Sequence, residues 1–283
     1  MLLLGDFILD EFVFGESERI SPEAPVPIVL PKKTLVTLGC SGNVLANLNN
    51  LKLDVLPIGI LGKDAKSKQI LSLLKKKKIN CRYFTIDKKY KGILKKRIVV
   101  RNKHIVRLDY EDLSYKIPVQ LEKKIKKKIF YLIKKKCNLV LISDYGKGSL
   151  SNEIIIYTIN IAKKFKIPII VDPRKKINDY SVYSGATFVT PNFSEFSTLF
   201  PNILNKHLEI IKAAKILKDK YSIKNILIKR GEHGISFYNE HLNLHEKSAA
   251  KEVYDVSGAG DTVIAVLSIC ILLKINIKKS INL

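Results

Sequence analysis

Short apolar runs alternate with longer amphipathic stretches along nearly the whole chain. Apolar runs of a few Val, Ile and Leu residues between turn formers read as buried strands. Apolar positions recurring at i, i+3, i+4 and i+7 read as helices. The pattern predicts strands at residues 2–4, 54–59, 82–86, 139–143, 167–171, 187–190 and 225–228. It predicts helices at 44–51, 67–77, 118–136, 151–165, 206–221 and 263–273, with another starting in 191–195. Leu121, Ile125, Ile129, Leu132 and Ile133 share one face of the helix over 118–136. Ser67 and Ser151 stand where N-caps are expected, because a hydroxyl there accepts from a free amide of the first turn.

Three stretches break the βα alternation. Residues 12–14 and 26–30 read as short strands flanking a segment with Pro22, Pro25 and Pro27. Proline removes a ladder donor, so this segment is expected as an edge or a rigid loop. Residues 93–100 and 105–108 read as a hairpin turning at Asn102 and Lys103, with Lys95, Arg97, Arg101 and Arg107 spread over it. Residues 235–238 and 243–245 read as a closing hairpin. The first two stretches are expected to form a small β lid, from about 12–37 and 91–109, over a ligand site. The remainder predicts an α/β fold, a mostly parallel sheet with helices on both faces.

Composition bounds the function. A 46% hydrophobic chain of 283 residues can bury a large core, and one domain over 1–283 is the expectation. Cys40, Cys81, Cys137 and Cys270 form no C-x-x-C pair and lie near no His cluster, which argues against a disulfide scaffold or zinc site and for the cytoplasm. The N-terminus has no basic n-region and reaches an acid at Asp6, unlike a secretory signal. The net charge of +24 raises nucleic acid or an anionic membrane as partner. The lysines, however, run along the whole chain among many Ile and Asn, as compositional drift on solvated helix faces leaves them. No arginine-rich arm or zinc-finger pattern accompanies them, so neither nucleic acid nor membrane is the expected partner.

Polar motifs recur just after strand ends, at residues 5–10, 144–148, 172–174, 191–195 and 229–234. In open α/β sheets the carboxyl edge is where ligands bind. Near the C-terminus, Val253-Tyr254-Asp255-Val256-Ser257-Gly258-Ala259-Gly260-Asp261-Thr262 opens an apolar helix. Two glycines leave backbone amides uncovered, and a helix N-terminus favours an anion. Asp261 beside such a hole suits phosphoryl transfer, with the carboxylate taking a proton from the attacking hydroxyl. A plain Gly-rich loop with an Asp cap is the alternative. Asn43, after Gly39-Cys40-Ser41-Gly42, is either a ligand group or a helix cap, and Asp10 either a ligand group or turn polarity.

With these motifs the chain resembles the ribokinase-like, PfkB-type sugar kinases along essentially its whole length. Gly5-Asp6 through Asp10, Arg19-Ile20-Ser21-Pro22-Glu23-Ala24-Pro25-Val26-Pro27, Arg107-Leu108-Asp109, Ser143-Asp144-Tyr145 with Lys147-Gly148, Thr190-Pro191-Asn192 with Ser194-Glu195, and the 253–262 segment carry the resemblance. Within the family it is most similar to the heptose-7-phosphate kinases. The resemblance implies ATP as phosphoryl donor and Mg²⁺ as cofactor. Asp261 is implied as general base and the amides of Gly258, Ala259 and Gly260 as anion hole. Asn192, Phe193, Ser194, Glu195, Lys229 and Gly231 are implied on the ATP side, with Glu195 reaching Mg²⁺ through water and no direct protein ligand to the metal. Asp10 and Asn43 are expected on the sugar, and Lys147, Arg97 and Arg107 on its phosphate. A homodimer through the lid is implied as well.

Two departures stand out. The family's Gly-Gly-Ala-Ala-Asn is here Gly39-Cys40-Ser41-Gly42-Asn43, which puts a thiol where the sugar is expected. With Leu283 as its last residue, the chain is expected to lack further C-terminal kinase helices and a nucleotidyltransferase domain. Other readings remain: a kinase for another sugar or nucleoside, or a non-catalytic basic binding protein.

Overall fold

A computed structural model describes residues 1–175, 177–248 and 258–281. The strands are β1 (Leu2–Gly5), β2 (Phe7–Ile20), β3 (Pro27–Cys40), β4 (Leu56–Ile58), β5 (Ile60–Leu61), β6 (Thr85–Ile86), β7 (Leu94–Val100), β8 (Lys103–Tyr110), β9 (Val140–Ser143), β10 (Ile169–Asp172), β11 (Phe188–Val189), β12 (Asn225–Lys229), β13 (Ile235–Tyr238) and β14 (Asn243–Glu246). The helices are α1 (Ser41–Asn50), α2 (Ala65–Lys76), α3 (Val119–Lys136), α4 (Asn152–Lys164), α5 (Phe193–Leu199), α6 (His207–Tyr221), α7 (Ala259–Leu272) and α8 (Ile277–Ile281).

The main sheet has eight strands in the order β14-β13-β12-β11-β10-β9-β1-β4. Pairing is parallel from β4 across to β12, and antiparallel for β13 and β14. The alternation of side chains along a strand divides the core in two. Leu2 and Leu4 of β1 join the cluster beneath α3, α4 and α6. Leu3 joins the other, beneath α1, α2 and α7. All three are fully buried, each contributing roughly 2 kcal/mol by removal of apolar surface from water. Helices cover both faces, as the sequence pattern requires.

A second sheet runs β3-β2-β7-β8. The strands expected at 12–14 and 26–30 are parts of two 14-residue strands paired from Phe7↔Cys40 to Ile20↔Pro27. The prolines interrupt less than expected: Pro22 and Pro25 lie in the connection and Pro27 begins β3, an edge strand where a missing donor faces no partner. β7 and β8 form the expected hairpin, but its turn falls one residue early. Arg101 and Asn102 both have positive φ, 48° and 62°, as a tight two-residue hairpin turn demands.

Two helix starts also differ from expectation. Asp64, not Ser67, caps α2, its carboxylate accepting from the Ser67 amide at 3.0 Å. At α1 the cap position falls to Cys40, with no side-chain cap bond, which frees the Asn43 side chain. Ser151 caps α4 as expected.

Candidate active site

The parallel strands end side by side, and the polar residues following them meet at one edge. Asp6 follows β1, Asp144 follows β9, Asp172 ends β10, Asn192 lies just beyond β11 and Lys229 ends β12. Asn192 and Lys229 form a parallel bridge. The N-termini of α1 and α7 close over this edge from one side.

Asp261 lies in the first turn of α7, behind Gly258, which adopts φ 87° and supplies no side-chain cap. Among the described residues no side chain caps this 14-residue helix, so its first amides lie open in the field of its positive end. Residues 253–257 of the motif lie outside the described residues. Asn43 Nδ2 donates to Asp261 Oδ2 at 2.7 Å, and the Tyr145 hydroxyl donates to Oδ1 at 2.7 Å. Burial raises the Asp261 pKa and the Asp172 charge adds to it. The two donors and the Lys229 charge oppose the rise. A Cβ on Gly258 would come within 2.8 Å of Asn43 Nδ2, so glycine there permits the close approach of α1.

Lys229 Nζ donates to Asp172 Oδ1 at 2.6 Å, and Thr190 donates to the same oxygen at 3.1 Å. A Cβ on Gly260 would lie 3.5 Å from Lys229 Nζ, which puts this cation against the glycine turn. Gly231, with φ 60°, has open space around its Cβ position. Asn192 and Glu195 form a capping box at α5: Glu195 accepts from the Asn192 amide and side chain at 2.9 and 2.7 Å, and its own amide donates to Asn192 at 2.8 Å. Burial, then the Asp172 charge, pushes the Glu195 pKa up to about 6. Each Glu195 oxygen keeps acceptor capacity beyond its single bond to Asn192. Phe193 packs against the core and the Ser194 carbonyl accepts from Ser197 and Thr198.

Asp6 and Asp10, close in sequence, part company. Asp6 is fully buried and accepts from the amides of Tyr145 and Lys147 at 3.1 Å and of Ser149 at 2.9 Å. It organises the turn after β9. Asp10 stays half-buried on β2, where it accepts from Arg97, whose guanidinium also stacks 5.0 Å from the Phe12 ring. A Cβ on Gly39 would collide with Asp10, so the two strands meet closely at that point. The other expected phosphate cations already have acids: Lys147 pairs with Glu111, and Arg107 with Asp109 on the exposed edge strand β8.

Lys95, one of the cations spread over the hairpin, has no motif that singles it out in the sequence. It lies directly opposite Asp10 in register, shares a face of β7 with Arg97, and its amine is 4.0 Å from Cys40 Sγ. Among the described residues no acid pairs with Lys95. The period-2 alternation of the strand is the signal that pointed to it. Tyr145 stood within a motif without a role, and Asp172 was marked only as part of a strand end. Nothing local in the sequence shows that they approach Asp261 and Lys229.

Among the described residues no group of three or more His, Cys, Asp or Glu is arranged to hold a metal ion directly, and no helix is long and apolar enough to cross a membrane.

Comparisons with known proteins bear on the family and the fold. The chain matches the pfkB family of carbohydrate kinases over residues 11–283. It is 39% identical over 279 residues to the bifunctional protein HldE of Helicobacter pylori strain HPAG1, covering 98% of this chain and 59% of that protein. HldE of Campylobacter fetus subsp. fetus strain 82-40 is 38% identical over 283 residues, covering 100% and 60%. The chain thus spans about three-fifths of the length of the curated relatives it matches. In fold it is similar to phosphofructokinase-2 from Escherichia coli in complex with substrates and products, at 16% identity and TM-score 0.80, covering 99% of this chain and 89% of that one. Arabidopsis thaliana ribokinase complexed with ribose and ATP gives TM-score 0.78 at 17% identity, covering 99% and 88%. The chain belongs to the pfkB family of carbohydrate kinases.

Proposed function

We propose that the chain transfers the γ-phosphoryl group of ATP to C1 of D-glycero-D-manno-heptose 7-phosphate. The product is the 1,7-bisphosphate, a precursor on the route to ADP-heptose and the lipopolysaccharide core. The observation that carries the chemistry is Asp261 at the open N-terminus of α7, with both carboxylate oxygens held by protein donors. The similarity to HldE proteins over nearly the whole chain supports the choice of sugar.

In this reading Asp261 accepts the proton of the anomeric hydroxyl as its oxygen attacks the γ-phosphorus and ADP departs. The amides of Gly258, Ala259 and Gly260 receive the phosphoryl oxygens, and Lys229, held by Asp172, offsets the charge beside them. Asn192 and Glu195 would hold Mg²⁺ through water, which fits a carboxylate whose two oxygens each keep acceptor capacity. When bound, the ion neutralises phosphate charge. Phe193, Ser194 and Gly231 belong to the nucleotide side.

Asp10 and Asn43 face the sugar hydroxyls. Arg97, Lys147 and Arg107 remain on the phosphate-bearing side, but each is already paired with an acid, so Lys95 is the stronger anchor for the 7-phosphate. The four-stranded sheet acts as lid, and the protein as one cytoplasmic kinase domain. Both edge strands carry exposed apolar side chains, including Leu30 and Leu35 on β3 and Ile105, Val106 and Leu108 on β8. They support a homodimer formed edge to edge, which light scattering on the purified protein tests.

The deciding experiment is a phosphorus NMR assay with heptose 7-phosphate and Mg-ATP, beside a panel of other sugars and nucleosides. A 1,7-bisphosphate signal is the expected result. Soluble, folded protein that forms none refutes the reading, and turnover of another panel member reassigns the substrate.

A further inference from the structure

Asn43 is one of two groups holding the Asp261 carboxylate; the other, Tyr145, has no place in the reading above. We propose that Tyr145 is a positioning residue for Asp261: its hydroxyl fixes the carboxylate plane and keeps it ready to accept a proton. This inference rests on Asp261 acting as the base.

The geometry supports it at three levels. Tyr145 donates to Oδ1 while Asn43 donates to Oδ2, each at 2.7 Å, so the two oxygens cannot exchange places by rotation without breaking both bonds. One acceptor site on each oxygen stays open for a substrate hydroxyl. The Tyr145 side chain is fixed by packing against the small cluster of Ile8, Cys40 and Ile93. Its backbone is fixed by Asp6, whose buried carboxylate takes the amides of Tyr145, Lys147 and Ser149 and so sets the whole turn before any ligand arrives. Two hydrogen bonds thus link Asp6, just after β1, through Tyr145 to Asp261 on α7.

The electrostatics give the hydroxyl its purpose. Burial and the Asp172 charge favour a protonated, and therefore inactive, Asp261. A hydrogen bond to the charged form works against this. Burial also raises the Tyr145 pKa, and the charges of Asp172 and Asp261 add to it, so the phenol stays a donor across the working pH range. A tyrosine that merely satisfied its own hydroxyl would leave the titration of Asp261 unchanged when that hydroxyl is removed.

The test is a titration of the ¹³Cγ resonance of Asp261 in ¹³C-aspartate-labelled protein, identified by its loss in Asp261→Asn. In Tyr145→Phe the midpoint moves up by about one pH unit, a tenfold change in proton affinity. The acid limb of kcat/KM for the sugar moves with it, and activity recovers toward wild type at high pH. A near-isosteric replacement, 3-fluorotyrosine at position 145, is a stronger donor and moves the midpoint down. Midpoints equal to wild type in both variants overturn the proposal. If the wild-type protein phosphorylates nothing in the substrate panel, the kinase reading falls, while the carboxylate titration still decides whether Tyr145 governs Asp261.

Discussion

Asn43 donates to Asp261 across a sequence separation of 218 residues, at 2.7 Å. The bond ties the first turn of α1 to the first turn of α7, two helices that pack on the same face of the main sheet. A second bond, from Asn47 Nδ2 to the Thr262 hydroxyl at 3.3 Å, follows one helical turn later. Two helix N-termini aimed at one edge concentrate positive partial charge there, and the Asp261 carboxylate lies between them. Such a site favours an anion, as the proposed phosphoryl transfer requires.

Asp261→Asn keeps the shape of that side chain and removes its basicity. Turnover of the sugar falls by about 10²–10⁴-fold, the usual contribution of a positioned base. ATP binding, assigned in the proposed reading to the amides and Lys229, survives and is measured by calorimetry. Full activity in this variant refutes the assignment of Asp261 as base.

Lys95→Gln removes a site cation that, among the described residues, has no acid partner. Its loss raises KM for the sugar phosphate about tenfold, in line with roughly 1.5 kcal/mol for a charge-assisted bond to a phosphate oxygen. Arg107→Gln, whose partner Asp109 lies on the exposed edge strand, changes KM far less, because exposed pairs contribute little. Steady-state kinetics on both variants decide the ranking, and an effect confined to Arg107 reverses it.

The fold was legible because its signals are local. Apolar runs ending in Asp, Asn or Lys marked five strand ends, and their meeting at one edge follows from parallel pairing alone. For the candidate site, the sequence could mark only what a residue type suggests locally, as at Asp261 after its glycines. Asp6 and Asp10 look equivalent in the sequence, yet one is sealed beneath three amides and the other faces Arg97. Tyr145, Asp172 and Lys95 matter through partners on distant elements, and distance in the chain hides such partners. The misplaced cap at α2 has a local cause: Asp64 and Ser67 are both good cap residues, and Asp64 wins by also accepting from the Gly92 amide at 2.9 Å.

Asp144 makes stability depend on pH in an unusual direction. Burial, reinforced by the Asp6 charge, raises its pKa from 3.8 to about 6 despite Arg174 and the Tyr183 hydroxyl. The folded state therefore holds this proton more tightly than the unfolded state. Its contribution is full below about pH 4 and is lost as pH rises to about 6, a change of roughly 3 kcal/mol. Asp144→Asn preserves an acceptor for the Gly146 amide and removes the titration. Urea midpoints taken from pH 4 to 7 show a flatter dependence in this variant than in wild type. Parallel curves contradict the assignment.

Cys40 sits in a backbone conformation that suits glycine, with φ 52° and ψ −130°. Side chains there carry strain of about 1–3 kcal/mol. The position is nonetheless buried, and the sulfur packs with Ile8, Ile93 and Tyr145. Two effects therefore oppose each other in Cys40→Gly: relief of strain, and loss of a small buried group together with the entropy of a more flexible unfolded chain. They nearly cancel, so stability stays within about 1 kcal/mol of wild type by urea titration. Cys40→Val separates the effects. It keeps a buried apolar side chain, slightly larger than the thiol, but places a β-branched side chain at positive φ, where the clash with its own backbone is worst, and stability falls by about 2 kcal/mol or more. If valine is tolerated and glycine is not, packing of the thiol and not backbone strain governs the position. In that case the turn between β3 and α1, on which Asn43 depends for its reach to Asp261, is held by the side chain of Cys40.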